Sequence, residues 1–197
     1  MTLAISKCSF CIKTFDYLGF QISREGIRPN LRNVDKISSA DCNSASDLRQ
    51  FLGLCQFYRR WIPQFSQIVS PLYSALQVKW SARDKSTVDN SIKIIKKALI
   101  SYPVLRHPDF EKDFFLATDG SLLGFGAILH QKCPDSGGLF AIAYASCKLP
   151  LSMKSLVGPQ LEAAAACWAM NHFRHYLIGR RFTLHTDQAV MKYMCKT

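Results

Sequence analysis

The stretch Phe114–Leu129 reads F-F-L-A-T-D-G-S-L-L-G-F-G-A-I-L and constrains the fold more than any other segment. Two apolar runs flank a single carboxylate, Asp119, and a small Gly-Ser turn. The pattern predicts a hairpin that carries an acid at the tip of its first, buried strand. An acid there is costly unless a cation or a partner neutralises it. Other carboxylates that share a metal with Asp119 are one solution.

The patterning changes at Tyr102-Pro103. Beyond it, residues 113–119, 124–131 and 139–146 read as strands joined by Gly-containing turns. Residues 160–177 read as a long helix that Gly179 ends. Residues 181–187 form a fourth strand ending in Asp187, and 189–194 begin a further helix. Ahead of the break, residues 7–23 suggest two short strands, and Asn30 caps a short helix with Leu31, Val34 and Ile37 on one face. Ser44–Trp61 is the clearest helix: Ser44 and Asp47 form a capping-box-like start, and Pro63 is its expected end. Two more helices are expected over Ser66–Gln77 and Asp84–Ser101.

The order strand–strand–strand–helix–strand offers Asp119 two companions. Glu162 lies in the first turns of a helix almost free of other charge, and Asp187 ends the fourth strand. Three carboxylates without a His/Cys array suit a hard cation, Mg²⁺ or Mn²⁺. Two such ions ~3.5–4 Å apart clamp both oxygens of an in-line phosphodiester displacement. A purely structural role for Glu162, facing its own helix N-terminus, stays open at this point.

A net charge of +11 favours a polyanion partner, most often nucleic acid. The 197 residues, 48% of them hydrophobic, suit one large domain or two small ones. Eight irregularly spaced cysteines, most in apolar or helical runs, suggest packed, reduced thiols in an intracellular protein, cytoplasmic or nuclear. No run reaches the ~18 apolar residues of a membrane span, and the first residues make a poor signal peptide, so neither membrane association nor secretion is expected.

The chain resembles the central-to-C-terminal part of a gypsy-like LTR retrotransposon Pol polyprotein. The resemblance rests on F-D-Y-L-G-F-Q-I-S-R-E-G-I-R-P-N, L-R-Q-F-L-G-L-C-Q-F-Y-R-R-W-I-P-Q-F-S and S-Y-P-V-L-R-H-P-D-F. It continues through F-L-A-T-D-G-S, G-F-G-A-I-L-H-Q, Leu161-Glu162-Ala163 with H-Y-L-I-G-R-R-F, and L-H-T-D-Q, all in family order. It implies an α/β fold: an RNase H-like mixed sheet with flanking helices over 103–197, incomplete at the C-terminus. A helical reverse transcriptase thumb/connection-like module over 31–102 precedes it, after a palm-like β segment over 1–30. It also implies that Asp119, Glu162 and Asp187 hold two Mg²⁺ ions and cut the RNA strand of RNA/DNA hybrids, alongside the remainder of the Pol polyprotein.

The family's aromatic-x-Asp-Asp polymerase turn is expected upstream of Met1, and no Asp-Asp pair occurs here. The family's fourth acid and fifth strand are expected beyond Thr197, so the isolated chain is expected to be weak or inactive as an endoribonuclease. Gln160 and Gln188 stand where relatives carry Glu and His, and Gly120 is an apparently harmless replacement of a common Ala. Hybrid contacts are expected from Arg49, Arg59 and Arg60 on the long helix, Lys93, Lys96 and Lys97 on the last thumb-like helix, and Arg180 and Arg181 beside the fourth strand. The alternative is a catalytically inactive retrotransposon-derived relic that binds nucleic acid or a partner protein.

Overall fold

Two glycines and one unusual leucine set up the first sheet. The structure, a computed structural model, describes residues 8–101, 104–133 and 137–186. Strands β1 (Thr14–Tyr17), β2 (Phe20–Ser23) and β3 (Gly26–Pro29) form an antiparallel meander. Leu18 and Gly19 both have positive φ, 46° and 85°, which gives the two-residue turn the twist that a tight hairpin needs. The sequence suggested two strands; the third, β3, exists because it has a partner on its far side. Ile27 N–H donates to the Leu105 carbonyl at 2.8 Å, and Leu105 N–H donates back at 3.1 Å. Gly26 permits that approach, since a Cβ there would lie 2.2 Å from the Leu105 oxygen.

Four helices follow: α1 (Leu31–Ser39), α2 (Ala45–Phe57), α3 (Phe65–Gln77) and α4 (Lys85–Ile100). Their starts follow the capping chemistry of the sequence. Asn30 accepts from Arg32 N–H, Asp84 accepts from Ser86 and Thr87 N–H, and Ser44 and Asp47 exchange reciprocal bonds at 3.1 and 2.8 Å. The expected end of α2 at Pro63 is wrong. The helix stops at Phe57 and tightens into a 3₁₀ turn, Arg59–Trp61. The cause is aromatic packing around Phe20: Phe57 and Trp61 stack on it at 4.8 and 5.2 Å, and Tyr58 meets it edge-on at 5.9 Å. Polar handles fix the same turn. Tyr58 donates its hydroxyl to the Gly19 carbonyl at 2.8 Å, and Trp61 donates its indole N–H to the Ile27 carbonyl at 3.4 Å.

The second unit is a four-stranded mixed sheet ordered β6-β5-β4-β7. Strands β4 (Phe114–Ser121), β5 (Gly124–Lys132) and β6 (Leu139–Lys148) are an antiparallel meander, and β7 (Phe182–His185) lies parallel to β4. The long helix expected over 160–177 is two helices, α5 (Gly158–His172) and α6 (Arg174–Leu177), broken at Phe173, whose ring is buried in the core. Phe114, Leu116, Ala169 and Phe173 pack together between β4 and α5. The helical unit covers the other face. Ala141 and Tyr144 of β6 join its core, and Ser66 N–H donates to Ser146 Oγ at 2.9 Å.

The expected helix over 189–194 lies outside the described residues. Among the described residues no helix is long and apolar enough to cross a membrane. The cysteines are less packed than expected. Cys8, Cys11 and Cys167 are exposed, and among those described only Cys55 is buried. Burial pushes the Cys55 thiol up to about 12.

Candidate active site at the end of strand β4

Alternation along β4 sends successive side chains to opposite faces. Phe114 and Leu116 face α5. Asp119 faces the helical unit, where the Gln64 side-chain amide donates to its Oδ2 at 2.8 Å. Asp119 is neither the strand's last residue nor buried: β4 runs on to Ser121, and the carboxylate is exposed. The burial cost anticipated for it is thus largely absent.

Glu162 is the buried acid, 6% exposed in the second turn of α5. Its Oε1 accepts from Gly120 N–H at 3.2 Å. That bond runs from the helix to the residue after Asp119, so Glu162 faces the strand end and not its own helix N-terminus. Gln160 serves the N-terminus instead, where its Oε1 accepts from Val157 N–H at 3.4 Å. Gly120 is not an indifferent position. A Cβ there would lie 2.6 Å from the Leu161 oxygen, 2.8 Å from its carbonyl carbon and 3.1 Å from Glu162 N. The absence of a side chain is what lets α5 approach closely enough for that contact.

Glu162 therefore bonds the residue next to Asp119, so the two acids approach the same stretch of β4, one on the strand and one from the helix. Asp187 lies outside the described residues, which end one position earlier at Thr186, beyond β7. Since β7 runs parallel to β4 with His185 opposite Ala117, the chain leaves β7 towards the Asp119 end of the sheet. Among the described residues no three acids, histidines or cysteines are grouped as a metal site. The two carboxylates that are described supply oxygen donors only, which fits Mg²⁺ or Mn²⁺ and not a softer ion.

Gln64 carried no signal in the sequence beyond its place after Pro63. Its backbone is left-handed, φ 48° and ψ 32°, at the N-cap of α3. This is an uncommon conformation for a residue with a side chain. It turns the first turn of α3 onto the sheet, where Gln67 Nε2 also donates to Ser121 Oγ at 3.1 Å. Gly126, opposite Asp119 in the hairpin, leaves room for the Gln64 side chain: its Cγ lies 3.4 Å from where a Cβ would be.

The basic residues separate by use. Arg49, Lys93 and Lys97 are exposed on α2 and α4. Lys96 is drawn into the fold, where its ammonium donates to the Ser38 and Ala40 carbonyls at 2.9 and 2.7 Å and closes the end of α1. Arg180 lies over the Phe110 ring and donates to the Tyr176 and Ile178 carbonyls, while Arg181 is exposed. Arg59 and Arg60 sit on the 3₁₀ turn and not on the long helix.

A mixed sheet with an acid on its central strand, a second acid on the crossing helix and a parallel fourth strand defines an RNase H-like α/β protein. The family model for the RNase H-like domain found in reverse transcriptase matches residues 85–184, and the chain belongs to that family. The match begins at the start of α4, inside the helical unit. The chain is 32% identical over 196 residues to the retrovirus-related Pol polyprotein from transposon 297 of Drosophila melanogaster, covering 98% of this chain and 18% of that one. It is 34% identical over 177 residues to the transposon Tf2-3 polyprotein of Schizosaccharomyces pombe, covering 87% of this chain and 13% of that one. The chain thus spans under a fifth of these curated relatives.

Among solved structures, a foamy viral protease-reverse transcriptase in complex with RNA/DNA hybrid superposes with a TM-score of 0.76 at 23% identity, over 98% of this chain and 26% of that one. A foamy viral protease-reverse transcriptase dRH in complex with double-stranded DNA gives 0.74 at 23% identity, over 93% and 32%. These likenesses extend the shared fold across both units of the chain.

Proposed function

We propose that this chain is the thumb-like and RNase H portion of a retroelement Pol polyprotein that hydrolyses the RNA strand of RNA/DNA hybrids inside the cell. The observation that carries the reading is that buried Glu162 bonds Gly120 N–H, the residue next to Asp119. A buried carboxylate on an otherwise apolar helix face has a reason to be there when it reaches the strand position beside a second acid. Asp119 and Glu162, with Asp187, would hold Mg²⁺ or Mn²⁺. When bound, such ions supply an activated water and neutralise charge on the leaving 3′ oxygen. The protein's own part is to fix the carboxylates. Gly120 N–H orients Glu162, and the Gln64 amide orients Asp119.

The test is cleavage of a labelled RNA/DNA hybrid in Mg²⁺ by the chain joined to the polyprotein segment that follows it. Asp119→Asn is expected to abolish the cut while leaving the melting temperature unchanged. Equal cutting by parent and variant would defeat the reading. Gln64→Leu removes a donor to a ligand carboxylate, and a loss of about 10–100-fold in Mg²⁺ affinity is expected. The Gly120 amide resonance, followed during a metal titration, reads that loss without reference to catalysis.

One observation favours a second reading. The Gln64 amide occupies an oxygen of Asp119, as it would in a protein that binds hybrid without cutting it. Hybrid binding that is tight, insensitive to Mg²⁺ and never followed by cleavage would select that reading.

A further inference from the structure

A second cleft, of about 300 Å³, lies where the two units meet over the edge strand β6. The 3₁₀ turn forms one wall with Arg59 and Arg60. The end of α5 and the start of α6 form the other with His172 and His175, and β6 supplies Tyr144 and Ser146. No aspartate or glutamate lines it. Arg60 lies over the Trp61 ring, 5.5 Å from its centroid, so part of its role is packing. Arg59 is exposed, and neither arginine forms a salt bridge among the described residues.

The two walls feel each other. Burial first, and then the charges of Arg59 and His175, push the His172 imidazole below its usual range. Two arginines from one unit and two imidazoles from the other thus line one space. The arginines supply the positive charge an anion needs, and the imidazoles supply N–H donors beside it.

The place of the cleft narrows the choice of anion. Ser146 pairs with Gly126, and Gly126 pairs with Asp119, so Ser146 is level with Asp119 two strands away. At ~4.8 Å per strand that is about 10 Å across the sheet. Ser146 and Asp119 also share a face, since each bonds the first turn of α3 or its cap. An anion held at Ser146 therefore lies about 10 Å across the sheet from Asp119, on the same face.

We propose that the cleft binds one backbone phosphate of a nucleic-acid strand, gripped from both units, and so sets where that strand lies relative to Asp119. The inference rests on the reading of a hybrid as substrate. An isolated inorganic phosphate would use the same groups but would not explain their alignment with Asp119.

The experiment is fluorescence anisotropy of a labelled RNA/DNA hybrid on the full chain, in EDTA, across a range of KCl. Arg59→Gln and His175→Gln change exposed groups on opposite walls, and thermal melts check that each variant folds. Arg59→Gln is expected to weaken hybrid binding and to flatten the slope of log K against log[salt] by about one phosphate contact, ~0.9, and His175→Gln to weaken binding through the lost imidazole contact. The double variant is expected to lose little more than either single change, because both act on one phosphate. An unchanged slope in folded Arg59→Gln, or unchanged affinity in folded His175→Gln, overturns the proposal. Fully additive losses also overturn it, since they mark two unrelated surface contacts. If inorganic phosphate binds the parent and not the variants while hybrid slopes stay equal, the site serves small anions and the proposal fails. Because no metal is present, these outcomes are independent of cleavage: a flattened slope with a hybrid that Mg²⁺ never causes to be cut refutes only the nuclease reading.

Discussion

Gly120→Val is expected to destabilise the protein by about 3 kcal/mol, at the upper end of ordinary overpacking. The atoms a side chain would strike are the Leu161 carbonyl and the Glu162 nitrogen, which are helix backbone. They have no rotamer to change, so α5 as a whole must move away from β4. That movement opens the seam lined by Phe114, Leu116, Ala169 and Phe173. It also lengthens the 3.2 Å bond from Gly120 N–H to Glu162, leaving a carboxylate near the core with one donor fewer. Urea denaturation checks the first effect, with the midpoint falling and the slope unchanged. A valine variant as stable as the parent would show that α5 is free to slide, and with it Glu162. The family resemblance suggests alanine as an ordinary residue here; the contact distances say that in this chain alanine too would require α5 to shift.

The largest expected loss elsewhere follows Trp61→Ala, roughly 3–5 kcal/mol. Trp61 is 1% exposed and is the joint between three parts of the chain. Its ring stacks on Phe20 of β2, its N–H reaches the Ile27 carbonyl of β3, and the turn that carries it leads directly to Gln64. Alanine removes one of the two rings stacked on Phe20 and one of the two donors to the Ile27 carbonyl, and it leaves a cavity in the buried turn. Leu54→Ala, at a site 39% exposed, makes a suitable comparison and is expected to stay within about 0.5 kcal/mol of the parent. Similar losses for the two variants would contradict the packing described here.

The legible parts of the fold were those governed by local chemistry. Capping residues at Asn30, Ser44, Asp47 and Asp84 placed helix starts within a residue or so, because the donors they satisfy are adjacent in sequence. The hairpin around Asp119 was equally clear from its alternation and glycines. What could not be read depended on partners far along the chain. Strand β3 needs Leu105, the end of α2 is set by Phe20, and the break in α5–α6 falls where Phe173 turns into the core. The site divided in the same way. Asp119 and Glu162 stand out as acids in apolar surroundings. Gln64 does not, because an amide after a proline is ordinary until its backbone conformation is known. His172 and His175 are exposed, and nothing local pairs them with Arg59 and Arg60, which belong to a segment more than a hundred positions earlier.

The bridge between Ile27 and Leu105 has a consequence for synthesis. A ribosome adds ~5–20 residues each second, so Leu105 emerges several seconds after Ile27. Until then β3 has an unfilled edge, and the strand is available to any neighbouring chain that offers one. Correct pairing of β3 thus depends on the order of arrival. Slowing elongation between the two positions prolongs exposure of that edge, and faster passage shortens it.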